Sequence, residues 1–153
     1  MNYWLMKSEP GTFSIDDLAA AKKSTTGWDG VRNFQARNYL REMKKGDLAF
    51  FYHSSCAVPG VAGIVKIVRE GYPDPSAFDA KDDHYDAGSK RDNPRWYSVD
   101  VQLERKFDEV VSLEALRKHE QGKLKNMIVL KRGNRLSVTP VTKVEFEFIA
   151  SLA

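Results

Sequence analysis

"DLAFFYHSSCAVPGVAGIVKIVRE", residues 47–70, holds two strand-like runs with a short break between them. The first, from Asp47, is dense in aromatic residues; the second, from Gly60, is rich in Val and Ile. Aromatic and β-branched side chains suit a pleated, half-buried surface, so each run reads as a β-strand. The break "SSCAVP" is too short for a crossover, which makes the two strands a hairpin pair and an antiparallel sheet the base of the fold.

The rest of the chain is arranged around that pair. Upstream, "YWLM" (residues 3–6) reads as a first strand that ends in "KSEPG", where Pro10-Gly11 breaks it. Ser14 with Asp17 three residues on then caps a short helix through "DLAAAKK". In "GWDGVRNFQARNYL" (residues 27–40) a turn runs into a second helix that begins at Arg32 and Asn33. Ala36, Tyr39, Leu40 and Met43 form its packing stripe; Phe34, Arg37, Asn38 and Arg41 take the other side; Lys44, Lys45 and Gly46 end it. Residues 71–95 read as one long loop with Pro73, Pro75, Gly88, Pro94 and five aspartates between Asp79 and Asp92. "WYSVDVQLERKF", from Trp96, alternates as a strand with one buried face, and Ser112 caps a short helix in "SLEALRKHEQG". "NMIVL" and "RLSV" read as short extended segments joined by a Gly133-Asn134 turn. After Pro140, Thr142 and Glu145 form a capping box before a closing helix, although "VEFEF" also fits a strand. The sum over residues 1–153 is a single α+β domain: five to six short strands in a bent antiparallel sheet or barrel, with peripheral helices.

Composition narrows the function classes. Hydrophobic content of 42% and charged content of 29% are those of an ordinary globular chain. Lys and Arg outnumber Asp and Glu by 24 to 21, a net charge of +3, which permits a polyanionic partner but not one held by charge alone. The single cysteine, Cys56, excludes an internal disulfide and a cysteine-rich zinc site. No secretory leader and no membrane-length apolar run is visible, so a cytoplasmic or nucleoid setting and a monomer are expected.

Four constellations could carry chemistry. At the end of the first strand, Lys7, Ser8 and Glu9 leave the sheet together, as a site or as an ordinary solvated turn. In the 27–40 stretch, Trp28 is a surface for stacking, with Val31 beside it. Arg32 and the helix start offer donors to a phosphate, and Asn33 and Gln35 can read a base edge. The same residues read equally well as core and caps. Tyr52, His53 and Ser54 sit where a strand runs out, but no Gly-x-Ser-x-Gly elbow accompanies them, so His53 is a hydrogen-bonded structural residue rather than part of a triad. Asp82, Asp83, His84 and Asp86 match neither a calcium loop nor a zinc motif, and Gly60 and Gly63 do not make a phosphate-binding loop. No metal and no cofactor is expected.

"YWLMKSEP", "WDGVRNFQARNYL", "GDLAFFYHSS" and "RLSVTPV" occur in order along the chain, and together they resemble the EVE domain family from Tyr3 to about Ile149. The resemblance implies a PUA-like fold, kinship with YTH domains, which read methylated adenine through an aromatic cage, and a role in reading modified bases of DNA or RNA. Lys7-Ser8 is similar to the Lys-Ser pair of YTH domains, and Trp28 to a cage tryptophan. Tyr52, Tyr85 and Trp96 are candidates for a second cage wall, and Ser137 of "RLSVTPV" joins the lining. Glu9 and Pro10 stand where YTH domains carry asparagines. A carboxylate at Glu9 prefers an exocyclic amine, which favours a modified cytosine over methyladenine. Eukaryotic members of the family carry a basic extension before the domain, and starting at the first strand points to a bacterial, stand-alone chain. Two other readings stay open. One is a PUA-like hydrolase or ribonuclease using Lys7 with Glu9, or Ser8 as nucleophile; the other is a passive interaction domain.

Overall fold

Strand β1 (Tyr3–Ser8) lies between β3 (Leu48–His53) and β6 (Val138–Val141) in the computed structural model, which describes all 153 residues. Trp4, Leu5 and Met6 are consecutive and all buried. A strand can bury every side chain only when both faces of its sheet are covered. Trp4 and Met6 enter one apolar cluster and Leu5 the other. β3 divides likewise, with Ala49 and Phe51 on the first face and Phe50 and Tyr52 on the second. The unbroken apolar run in "LAFFY" thus reflects two cores sharing one sheet.

Helices cover both faces. α1 (Ile15–Ala20) and α2 (Phe34–Glu42) bring Ile15, Leu18, Ala36 and Leu40 to the first core. α3 (Leu113–Arg117) and α4 (Lys143–Leu152) bring Leu116, Phe146 and Ile149 to the second. None of them is long and apolar enough to cross a membrane. With β2 (Thr25–Gly27), β4 (Gly60–Pro73) and β5 (Tyr97–Ser112), the open six-stranded sheet runs β2-β5-β4-β3-β1-β6. β3 and β4 form the expected hairpin. Within this α+β architecture one pairing, β1 with β3, is parallel, because α1, β2 and α2 together form the crossover between them. β4 and β5 bend through four register shifts. At Gly63 a Cβ would meet the Arg105 carbonyl and the Ile15 side chain, so glycine lets β4 pass under α1 while paired to β5.

Both capping boxes form as read, Ser14 with Asp17 and Thr142 with Glu145, and the second makes "VEFEF" helical. Elsewhere the structure corrects the sequence. β4 continues to Pro73, so the long loop spans residues 74–96. Asn33 is the N-cap of α2, accepting from the Ala36 N–H, which leaves Arg32 outside the helix. "NMIVL" is no strand: Ile128–Leu130 is a 3₁₀ turn closed by backbone bonds from Leu130 to Met127 and from Lys131 to Ile128. The last strand instead runs through Pro140. An edge strand tolerates proline because one side of it needs no N–H.

Candidate functional site

The C-terminal end of β1 opens into a cavity of about 510 Å³. Four backbone bonds fix that end. Lys7 N–H donates to the Ser137 carbonyl at 2.8 Å, Ser54 N–H donates to the Ser8 carbonyl at 3.0 Å, and the Glu9 carbonyl accepts from Thr12 and Phe13. Ser8 Oγ donates to the Phe13 carbonyl at 2.6 Å and holds the 9–13 turn against the strand. Across the cavity, the segment after β2 is anchored by Trp28 N–H donating to the Val99 carbonyl at 2.7 Å. The Trp28 ring meets Phe51 edge-on, with centroids 5.4 Å apart and planes at 86°, and only 7% of the residue remains exposed. It is therefore a core residue and a cavity wall at once, as is Val31.

The remaining wall comes from the long loop. Arg32 spends all five of its donors on protein acceptors: Asp74, Ser76 Oγ, the Val31 carbonyl, and the His84 carbonyl twice, at 2.6–3.1 Å. Asp74 is fully buried. Burial would raise its pKa, but bonds from Ser76, from Gly30 N–H and from Arg32 outweigh this and hold the carboxyl below its ordinary range. The strap seats the His84 ring over Gly30. A Cβ at Gly30 would run into that ring, and its φ of +79° is one that glycine takes without strain.

The polar groups facing the cavity are of two kinds. Lys7 offers donors, and burial lowers its pKa; the Ser8 hydroxyl turns only its oxygen to the cavity, its proton being held by the Phe13 carbonyl. Glu9 and Asp29 offer carboxylate oxygens at the rim. Desolvation by the surrounding walls raises the Asp29 pKa, and the nearby charges of Asp74 and Asp82 push it the same way. An aromatic wall with a cationic donor and carboxylate acceptors suits a flat heterocycle with a mixed hydrogen-bonding edge. The volume lies within the usual range for small-ligand sites, roughly 300–1,000 Å³.

Of the residues singled out in the sequence, the structure brings Lys7, Ser8, Glu9, Trp28, Val31, Arg32 and Ser137 to this cavity. The others stand elsewhere. Asn33 and Gln35 are exposed at the start of α2, Asn33 as its cap. Tyr52 is buried in the second core and, with Ser54, lines a different cavity. His53 Nε2 accepts from Ile15 N–H at 3.1 Å, and burial lowers its pKa, so the ring is a neutral anchor for α1. Trp96 stacks on Phe34 at 4.9 Å and donates through Nε1 to Asp86 at 2.6 Å. Tyr85 is exposed on the long loop. The aromatic groups that do join Trp28 are Phe13 and His84. With its donors engaged, Arg32 positions the loop rather than a phosphate. Asp82, His84 and Asp86 are divided among separate contacts: Asp82 with His84, and Asp86 with Arg95 and Trp96. The Ser8 hydroxyl proton is committed to the Phe13 carbonyl.

Phe13 and Asp29 escaped the sequence reading, and His84 entered it only as a member of the acidic loop. Asp29 was in view, since it adjoins Trp28 between two glycines in a turn too short to bury it.

A family model described as EVE domain matches residues 2–152. Thymocyte nuclear protein 1 of Homo sapiens is 50% identical over 166 residues, covering 99% of this chain and 73% of that protein. The crystal structure of human THYN1 protein in complex with 5-methylcytosine containing DNA superposes with a TM-score of 0.93 at 51% identity, covering 99% of this chain and 97% of that one. The YTH domain of Zygosaccharomyces rouxii MRB1 protein shares the fold at a TM-score of 0.54 and 12% identity, covering 99% and 85% of the two chains.

Proposed function

Because the chain belongs to the EVE domain family, we propose that it reads a modified base in nucleic acid, with 5-methylcytosine in DNA as its first ligand. The observation that carries this reading is the pairing of the Trp28 wall with two carboxylates, Glu9 and Asp29, at the mouth of one cavity. Cytosine presents an exocyclic amine that a carboxylate accepts from, beside acceptors that Lys7 can donate to. The 5-methyl group gains apolar contact from Trp28, Phe13 or Val31. A base inside a duplex cannot reach such a cavity, so it enters flipped or from a single strand. The human relative crystallised with 5-methylcytosine containing DNA supports the same ligand class.

The test is a binding panel by fluorescence anisotropy. It compares oligonucleotides carrying 5-methylcytosine, plain cytosine and N6-methyladenine, each as DNA and RNA. The methylated cytosine DNA is expected to bind best. Comparable affinity for methylated and plain cytosine would sink the assignment, and a preference for methyladenine would move it to the other base.

A further inference from the structure

A second cavity, of about 490 Å³, shares Lys7 with the first and no other residue. The two differ in charge. Glu9 and Asp29 balance Lys7 and Arg32 around the first. The second is lined by Lys7, Arg117, Lys131 and Arg132 and by no acidic side chain. Those four cations exceed the net charge of +3 of the whole chain. Arg117 donates to the Leu130 carbonyl at 3.4 Å and pairs with Glu120 at 3.5 Å, a pair about half exposed. Lys131 and Arg132 are exposed, and neither side chain is engaged in an ion pair or hydrogen bond.

Three distant parts of the chain converge to build this cavity, which marks it as more than a stray run of basic residues. The end of β3 supplies Ser54, tied to β1 through its bond to the Ser8 carbonyl. α3 supplies Arg117. The 131–134 turn is closed by Asn134 N–H on the Lys131 carbonyl, and Asn134 Oδ1 accepts from Leu136 N–H at 3.2 Å. The Tyr52 ring forms part of the wall, with Lys7 Nζ 6.0 Å from its centre.

Cations with hydroxyl donors and no carboxylate match a phosphate group, whose unesterified oxygens take charge-assisted hydrogen bonds. We propose that this cavity is a backbone subsite, holding a phosphodiester that flanks the base taken up next to it, with Lys7 standing between base and phosphate. The inference rests on the modified-base reading above. It divides the labour: the first cavity specifies the base, and the second fixes the register of the strand and supplies the salt-sensitive part of the affinity.

The experiment measures affinity for a 5-methylcytosine oligonucleotide and its plain counterpart across a salt series, for the wild type and for Lys131→Ala/Arg132→Ala. Loss of two phosphate contacts lowers the slope of log K against log salt by roughly 1.4 to 1.8. Affinity near 0.1 M salt falls about tenfold or more, while the ratio of modified to plain binding stays within about twofold. In a second arm, neutral methylphosphonate linkages beside the modified base weaken binding to the wild type and add no further loss in the double variant. Both substituted side chains are exposed, so the thermal melt stays in place and separates this effect from misfolding. An unchanged slope overturns the subsite, as does an equal methylphosphonate effect in both proteins. Saturation by inorganic phosphate that an oligonucleotide cannot displace overturns it in favour of a free-anion site. A slope change with no preference for the modified base leaves the subsite standing and defeats the base reading alone.

Discussion

One edge of the Trp28 ring is fixed by Phe51, while the residue also lines the cavity. Trp28→Ala therefore removes core contacts and a binding wall together, and a cost of ~3–5 kcal/mol in chemical denaturation is expected from the core alone. Trp28→Phe separates the two effects, since it keeps an aromatic face at a smaller cost in packing. The phenylalanine variant is expected to keep most of the preference for the modified base and the alanine variant to lose it. Wild-type preference in the folded fraction of Trp28→Ala would show that the ring is no wall. Asp29 leads to a second prediction. Its pKa is raised in the fold, so folding makes this carboxyl bind a proton more tightly. It costs stability above its folded pKa, and that cost is relieved as pH falls through it. Asp29→Asn should therefore melt higher than wild type at neutral pH, with the difference shrinking in acid, and should weaken recognition of the cytosine amine. A lower melting point at neutral pH would contradict the assignment. At this scale the residues alone left Trp28 evenly between core and stacking surface, and the resemblance to a cage tryptophan favoured the surface; in the fold it is both. Asn33 and Gln35 misled, because an amide that caps a helix and one that reads a base look the same in a sequence. Phe13 reaches the cavity through the local 9–13 turn, and His84 only through contacts made across the fold.

The Arg32–Asp74 contact ties the start of the 74–96 loop to the segment before α2. Arg32→Ala would leave Asp74, whose side chain is fully buried, without its charge partner. A loss of ~3 kcal/mol is expected, at the low end for a broken buried pair, because the Arg32 side chain keeps 22% of its exposure. Lysine at this position restores charge but not the five-way fork, so Arg32→Lys recovers only part of the loss. Amide hydrogen exchange of the loop is the readout, and protection unchanged in Arg32→Ala would refute the strap. The pH dependence has a definite sign. Asp74 sits below its ordinary pKa in the fold, so its contribution is present above the unfolded value and is lost as pH falls towards the folded one. Loop exchange should accelerate in acid before the global melt does. Among the elements, the β3–β4 hairpin and both capping boxes were legible because each is local in sequence. The parallel pairing of β1 with β3 was not, since periodicity identifies a strand without naming its neighbour. "NMIVL" has a strand's composition, but β6 already occupies the edge beside β1, and the segment closes as a turn beneath the second core.

Across the whole molecule, β1 and β3 alternate their side chains between two cores, so neither face of the sheet can unpack without loosening the other. Single-transition unfolding follows, and it can be tested with one truncation per face. Leu40→Ala opens a cavity in the first core and Phe50→Ala in the second, and both side chains are fully buried. Costs of ~2–5 kcal/mol and ~3–5 kcal/mol are expected respectively. Trp4 and Trp28 both lie in the first core. Trp96 stacks on Phe34 at the start of α2, so none of the three tryptophans lies in the second core, and fluorescence reaches that face only through the shared strands. If the cores are coupled, Phe50→Ala shifts the fluorescence transition as far as the far-UV circular dichroism transition, although Phe50 belongs to the opposite cluster. A fluorescence transition that stays at the wild-type midpoint while circular dichroism moves would mean two separately melting layers. Coupling also bears on binding. The β1 end that carries Lys7, Ser8 and Glu9 is held by the same strands, so a truncation in either core should lower the fraction of competent protein without altering which base the folded fraction prefers. Leu40→Ala and Phe50→Ala are thus expected to shift stability and leave the modified-to-plain ratio at its wild-type value. Trp28→Ala shifts both, and that difference distinguishes a wall of the site from the core behind it.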